Sequence, residues 1–221
     1  VAANNPAGIV TVSDRALQFD LLLLHARPAF EAGGFDPPPE PPPGSFPLRP
    51  GGVRSDPEVA LDVFTIPQGG MNWRIDDRSA FALVLYANGG LNTTYDDFDN
   101  PTCPEETSGK GIYCAGGAGI DLAQFFLAPT YARQITDRLR LGIAPIVAIE
   151  TIQIEGLAAF AEASRAPDSL SDNGHDYSLG YGAKLGAQFE APYGLALGAV
   201  YQTKIRVDEF DDYRGILPDR G

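Results

Sequence analysis

From Asp176 to Asp208 the chain alternates between two chemistries, and few folds accept that pattern. Tyr177, Leu179, Tyr181, Ala183, Leu185, Ala187 and Phe189 fall on one face, and Ser178, Gly180, Gly182, Lys184, Gly186 and Gln188 on the other. After Ala191-Pro192-Tyr193-Gly194 the alternation resumes. Leu195, Leu197, Ala199, Tyr201, Thr203, Ile205 and Val207 alternate with Ala196, Gly198, Val200, Gln202, Lys204, Arg206 and Asp208. Successive strand residues point to opposite faces, so this is a hairpin with one apolar and one small or polar face. Both strands exceed the roughly 5–6 residues usual in soluble sheets. Long strands with aromatic residues near their ends and small polar residues behind suit a sheet that spans a membrane as a barrel.

Seven strands are expected along the chain: about 15–32, 58–74, 79–88, 120–135, 139–153, 176–190 and 195–208. Their connections alternate in length. Long loops are expected at 33–57, 89–119 and 154–174, with tight turns at 75–78, 136–138 and 191–194. The first long loop holds Pro37-Pro38-Pro39 and Pro41-Pro42-Pro43, extended chain that cannot serve as a central strand. In an up-and-down sheet, odd connections lie at one rim and even ones at the other. Short turns at one rim and long loops at the other are the asymmetry of outer-membrane barrels.

The charge balance excludes one class of partner. Sixteen basic against 29 acidic residues give a net charge of −13, whereas nucleic-acid binding needs a basic footprint. No run of about 18 apolar residues marks a spanning helix. A mean hydropathy of −0.10 is compatible with a barrel, because only alternate residues face lipid. Cys103 and Cys114 lie in one irregular segment. They read as a loop disulfide formed in an oxidising compartment, the alternative being two free thiols. Their spacing, with only His25 and His175 elsewhere, is no zinc pattern. Asp96, Asp97, Asp99 and Asn100 could offer oxygens to calcium but lack the full loop pattern, so no metal or cofactor is expected. No nucleophile–base set or phosphate loop is visible, which argues against an enzyme.

Several blocks in order carry a family resemblance. Asn5-Pro6-Ala7-Gly8 before the first strand resembles the Asn-Pro-Ala signature of the FadL/TodX group, outer-membrane transporters of long-chain fatty acids and hydrophobic compounds. Asn72-Trp73-Arg74-Ile75-Asp76, Tyr86-Ala87-Asn88-Gly89-Gly90-Leu91-Asn92-Thr93 and Gly119-Ile120-Asp121-Leu122-Ala123-Gln124 extend it. So do Ala128-Pro129-Thr130-Tyr131-Ala132, Gly142-Ile143-Ala144-Pro145-Ile146, Asp176–Gly182 and Tyr201–Ile205. The resemblance implies an all-β, antiparallel, up-and-down transmembrane barrel of about fourteen strands. About seven of them are present here. Residues 1–13 would be the end of an N-terminal hatch that plugs the lumen, and residues 14–221 the first half of the barrel. Seven strands leave two open edges, which lipid does not tolerate. The remainder of the same polypeptide, or another chain, is therefore expected to close the wall.

The resemblance also assigns roles. Asn5, Pro6 and Ala7 would belong to the hatch, and Asn88, Gly89 and Gly90 to a kinked strand carrying a lateral gate. Leu157 and Phe160, on a short helical piece of the third long loop, would line an outer ligand groove. Lumen-facing Asp20, Glu150, Lys184, Gln188, Lys204 and Arg206 are expected to form a polar network. The implied function is passive transport of hydrophobic small molecules across the outer membrane of a Gram-negative bacterium, among lipid and lipopolysaccharide. Two alternatives remain open: a structural or adhesive barrel without transport, and a soluble lipid-binding β-barrel.

Overall fold

A computed structural model describes residues 2–25, 31–32, 53–54, 63–95, 97–100, 103 and 108–214. Among these residues the strands are, in chain order, β1 (Arg15–His25), β2 (Glu31–Ala32), β3 (Val53–Arg54), β4 (Val63–Asp76), β5 (Ser79–Tyr95), β6 (Ala118–Gln134), β7 (Leu139–Glu155), β8 (Asp176–Glu190), β9 (Ala196–Gln202) and β10 (Arg206–Val207). One antiparallel sheet runs β1-β4-β5-β6-β7-β8, with β9 and β10 both pairing β8. It curls into a half-barrel whose two edges are β1 and β9/β10. β2 and β3 form a separate short ribbon. Most of the proline-rich loop lies outside the described residues.

Alternation sets the two faces. Leu17, Phe19, Met71, Leu83, Leu141, Ile143, Leu179, Leu185 and Leu197 are exposed on the convex side. Facing them through the sheet, on the concave side, are Ala80, Ala82, Ala128, Ala132, Ala144 and Ala148, all buried. Small residues inside and large ones outside let the sheet bend sharply. On β8 the outward row runs from Tyr177 to Phe189, a rise of 189 − 177 = 12 steps or roughly 40 Å of strand at ~3.3 Å each. At the ~45° tilt of barrel strands it would cover roughly 28 Å, close to the apolar band of membrane barrels.

Two prolines lie inside long strands against the usual rule. In the common register of β6 and β7, Pro129 faces Pro145, and ladder pairing skips from Leu127↔Val147 to Tyr131↔Ile143. Opposed prolines sacrifice the same rungs instead of orphaning two sets. The fully buried Thr130 donates its hydroxyl to the Ala128 carbonyl at 3.1 Å and satisfies one oxygen left over.

Three sequence expectations need correction. The first strand ends at His25, not Ala32. The third does not stop at Asn88. It continues to Tyr95 paired with β6, so the loop expected over 89–119 narrows to residues 96–117. The seventh is split at Thr203–Ile205. Gln202 pairs with Lys184, but Arg206 pairs with Tyr181, so the phase shifts by one. Ile205 and Val207 therefore turn toward the concave side, packing on Gly182 and Gly180, and Arg206 leaves the expected lumen row. Gly182 has no side chain to fill the space, and the Thr203 hydroxyl accepts from Ala183 N–H at 3.0 Å in place of a ladder bond.

Candidate functional site

The N-terminal segment lies on the concave face, at the rim of the short turns. Asn5 caps a 3₁₀ turn, Pro6–Thr11, its side-chain oxygen accepting from Ala7 N–H at 3.0 Å. Pro6 stands where the turn needs no N–H. The Asn5 amide also donates to the Ala187 carbonyl of β8 at 3.1 Å, so one side chain both starts the turn and ties it to the wall. Gly142 and Gly186 are cross-strand partners directly beneath. A Cβ on Gly142 would come within 2.5 Å of Ala7 N and Pro6 C, and one on Gly186 would overlap the Asn5 side chain. Paired glycines thus form a saddle for Asn5-Pro6-Ala7. Ile9 and Val10 then pack on Ala80, Ala82 and Ala132. Arg74 closes the far end, pairing with Asp14 at 2.8 Å.

The wall opens on one side of this segment. β4 and β5 pair from Asp76↔Ser79 to Gly69↔Leu85 and no further. β4 still pairs with β1 to Val63, and β5 with β6 to Tyr95. Beyond Gly69 and Leu85 the two strands part, leaving a seam in the sheet. The β5 bulge lies at the seam, where Ala87 opposes Phe125 and Gly89 opposes Gln124. The extra residue is Asn88, whose amide donates to the Gln124 side chain. The bulge falls among the residues Asn88, Gly89 and Gly90 that the resemblance assigned to a kinked strand, but glycine freedom does not explain it. Neither Gly89 nor Gly90 has positive φ, and a Cβ on Gly89 would meet nothing within 4 Å.

Beside the seam lies a cavity of about 310 Å³ between the N-terminal segment and strands β1, β4 and β5. Ile9, Val12, Ala82 and Val84 supply apolar lining. Asn72, also lining it, is buried and its side-chain oxygen has no hydrogen-bond partner. Tyr86 lines it as well. Behind Tyr86 stands Lys184 of β8, 8% exposed, donating to the Ala3 carbonyl at 2.7 Å and to the Tyr86 oxygen at 3.0 Å. Phe126, fully buried, packs edge-to-face on Tyr86 with ring centres 5.6 Å apart. Ile146 and Ile205 complete this inner apolar layer.

Other expected residues lie apart from the cavity. Leu157 and Phe160 are half-buried at the long-loop rim, where Phe160 (on the 3₁₀ turn Ala158–Ala163) stacks edge-on against Tyr113. The two long loops meet there. Cys103 and Cys114 form a disulfide. Asp97 pairs with Lys110 at 3.3 Å, and the buried Asn100 amide donates to Gly111. Of the expected polar network, Glu150 accepts from Gln124, and Asp20 lines the cavity and accepts from Gln18 at 2.8 Å. The pairing of Lys184 with Tyr86 was missed. Its signal was present, since Lys184 is the one long side chain among Gly180, Gly182 and Gly186 on its face of β8.

No known protein-family profile matches this sequence, and no curated protein matches it. Among solved structures, the chain is similar to the crystal structure of the Pseudomonas putida toluene transporter TodX. The TM-score is 0.53 with 15% identity, over 93% of this chain and 50% of that one. The chain thus spans about half the length of that protein. At this identity the likeness is one of fold, a FadL-like barrel.

Proposed function

We propose that this chain is the first half of an outer-membrane barrel of the FadL/TodX type that passes hydrophobic small molecules sideways through its wall. The observation that carries the reading is the seam above Gly69–Leu85, opening beside a cavity of mixed polar and apolar lining while the N-terminal segment sits across the lumen. A solute that enters from the long-loop rim meets Asn5-Pro6-Ala7 in the direct path and a gap in the wall beside it. The convex apolar face supports a lipid environment, as does the fold of the toluene transporter. The driving force is transfer of apolar area out of water, roughly 25 cal/mol per Å². No cofactor or coupled energy source is called for. Residues 1–13 act as the hatch end, Asn88 shapes the gate, and Leu157 and Phe160 belong to the outer capture surface.

The test is to clamp the seam. In the register that β4 and β5 would share if pairing continued, position 67 faces position 87, and both lie on the outward phase. Pro67→Cys with Ala87→Cys, bridged by a bis-maleimide in the intact protein, should lower uptake of toluene into proteoliposomes at least tenfold. Single-cysteine variants treated alike should keep theirs. Undiminished uptake through a clamped seam would sink the lateral route. No uptake by the unmodified protein would favour a barrel of structural or adhesive role.

A further inference from the structure

We propose that Glu150 of β7 is a positioning residue for the lateral gate: acting through Gln124 of β6, it holds the β5 bulge at Asn88. The inference rests on the transport reading above and deepens it by naming what sets the place of the gate. A bulge needs something to fix it, because it displaces one residue wherever it sits and glycine-rich strands specify register weakly. The glycine that follows does not supply this. Gly89 has no positive φ, and a Cβ there would meet nothing within 4 Å. What ties Asn88 down is its amide, which donates to the Gln124 side chain.

Gly89, Gln124, Glu150 and Ser178 stand in one row across β5, β6, β7 and β8. Gln124 and Glu150 share the concave phase of their strands with the buried pair Phe126 and Ala148. Neighbouring strands lie about 4.8 Å apart, so Glu150 is roughly 10 Å from β5 and reaches Asn88 only through Gln124. The direction of this relay follows from its chemistry. A carboxylate has no hydrogen to give, so Gln124 turns its nitrogen to Glu150. The Gln124 oxygen is then left toward β5, where only a donor matches it, and Asn88 supplies its NH2. One carboxylate thus orients two amides whose ends are otherwise interchangeable. Its neighbours are committed elsewhere. Ser178, directly across on β8, donates its one hydroxyl hydrogen to the Asp208 carbonyl at 2.6 Å. Asp176, next along that face, accepts from the Tyr177 and Asp212 N–H groups. Among the described residues no lysine or arginine pairs with Glu150.

The experiment reverses the relay. Asn88→Asp puts an acceptor at each end of Gln124, so the Gln124 oxygen meets a carboxylate. Glu150→Gln still offers an oxygen but no longer dictates direction. With both changes the new amide donates to the Gln124 oxygen, the Gln124 nitrogen donates to the new carboxylate, and the bonds are complete in the opposite sense. The intact protein and the three variants are compared in proteoliposomes by amide hydrogen exchange over residues 87–91 and by toluene uptake. Asn88→Asp should quicken exchange about tenfold, the worth of one charge-assisted hydrogen bond, and Glu150→Gln about threefold. Independent effects would multiply to about thirtyfold, whereas the double variant should fall back to about threefold. Uptake should drop and recover in step. A side chain that merely fills space gives no such rescue. Exchange untouched by Asn88→Asp, or a double variant no better than Asn88→Asp alone, would overturn the proposal. If Asn88→Asp does not fold, the double variant decides: folded protein supports the relay, and none overturns it. If exchange follows the expected order while uptake is equal in all four proteins, Glu150 holds no gate, and this inference falls while the transport reading stands. If the unmodified protein passes no toluene, the transport reading falls, and the gate named here falls with it.

Discussion

Below the Gly69–Leu85 pair and above it, the wall is built from the same strands, yet the two halves are held together by different means. Below, β4, β5, β6, β7 and β8 are paired side by side, save for the rungs lost where Pro129 faces Pro145, and the N-terminal segment fills the concavity they make. The alanines and glycines of that wall have something seated on them. Ala80, Ala82 and Ala132 receive Ile9 and Val10, and Gly142 and Gly186 receive Asn5-Pro6-Ala7. Above, β4 and β5 part, and the two flanks of the seam are each held only from behind. Packing fixes the lower half to one arrangement, whereas the upper half keeps unmatched backbone next to a cavity. Local stability follows buried contacts and paired backbone, and moving parts come from the low end of that range.

The largest expected effect breaks the lower half. Gly142→Ala puts a methyl group 2.5 Å from hatch backbone, where neither side yields easily. Overpacking of this kind costs about 1–3 kcal/mol. Urea unfolding in detergent should show the loss, and limited proteolysis should cut within the first dozen residues. Adding Gly186→Ala should cost less than the sum, because both lift the same segment. Asn5→Ala comes next, at about 0.5–2 kcal/mol for a lost cap, together with the bond to Ala187. Asn5→Ser should recover the cap but not that bond. A Ser variant matching the parent would show that capping alone matters. Deleting Asn88 sharpens the contrast from the other side. The β5–β6 ladder would then run on without its extra residue. Amide exchange over residues 89–95 should slow and toluene uptake should fall, with little change in urea midpoint. Unchanged exchange would mean the bulge does not set the seam.

The two halves were not equally legible in the sequence. The barrel, its faces and its alternating loop lengths follow from a period of two, which depends on each strand alone. The end of β5 was misread because Gly89-Gly90 looks like a turn, whereas tertiary pairing with Leu122 and Ala123 carries the strand past it. The break at Thr203–Ile205 was invisible for a related reason. Thr203, Ile205 and Val207 keep the alternation in sequence, and only the space over Gly182 and Gly180, on another strand, draws Ile205 and Val207 inward. Asn5-Pro6-Ala7 could be found as a motif. Why it has that form could not, since the saddle beneath it lies more than 130 residues away along the chain. The glycines of β7 and β8 are legible as small. That they are small for the N-terminus is a fact of topology.

The smallest effect lies in the rim turn that joins β4 to β5, the point from which the two strands run together before they part. The Ser79 hydroxyl, and then the Arg78 N–H at 2.8 Å, hold the Asp76 carboxyl below its ordinary pKa. A carboxylate with a lowered folded-state pKa stabilises the fold above its unfolded value, and that contribution fades as pH falls through the folded one. Asp76→Asn should therefore lower the unfolding midpoint slightly at neutral pH, and the two proteins should converge below about pH 4. The site is fully exposed, so solvent screens most of the effect. Its use is as a probe of where the strands are joined. If the turn merely links strands fixed elsewhere, the variant should leave amide exchange along the seam unchanged. If the turn sets how far β4 and β5 stay paired, exchange at Leu83 and Leu85 should quicken with the variant, at neutral pH only.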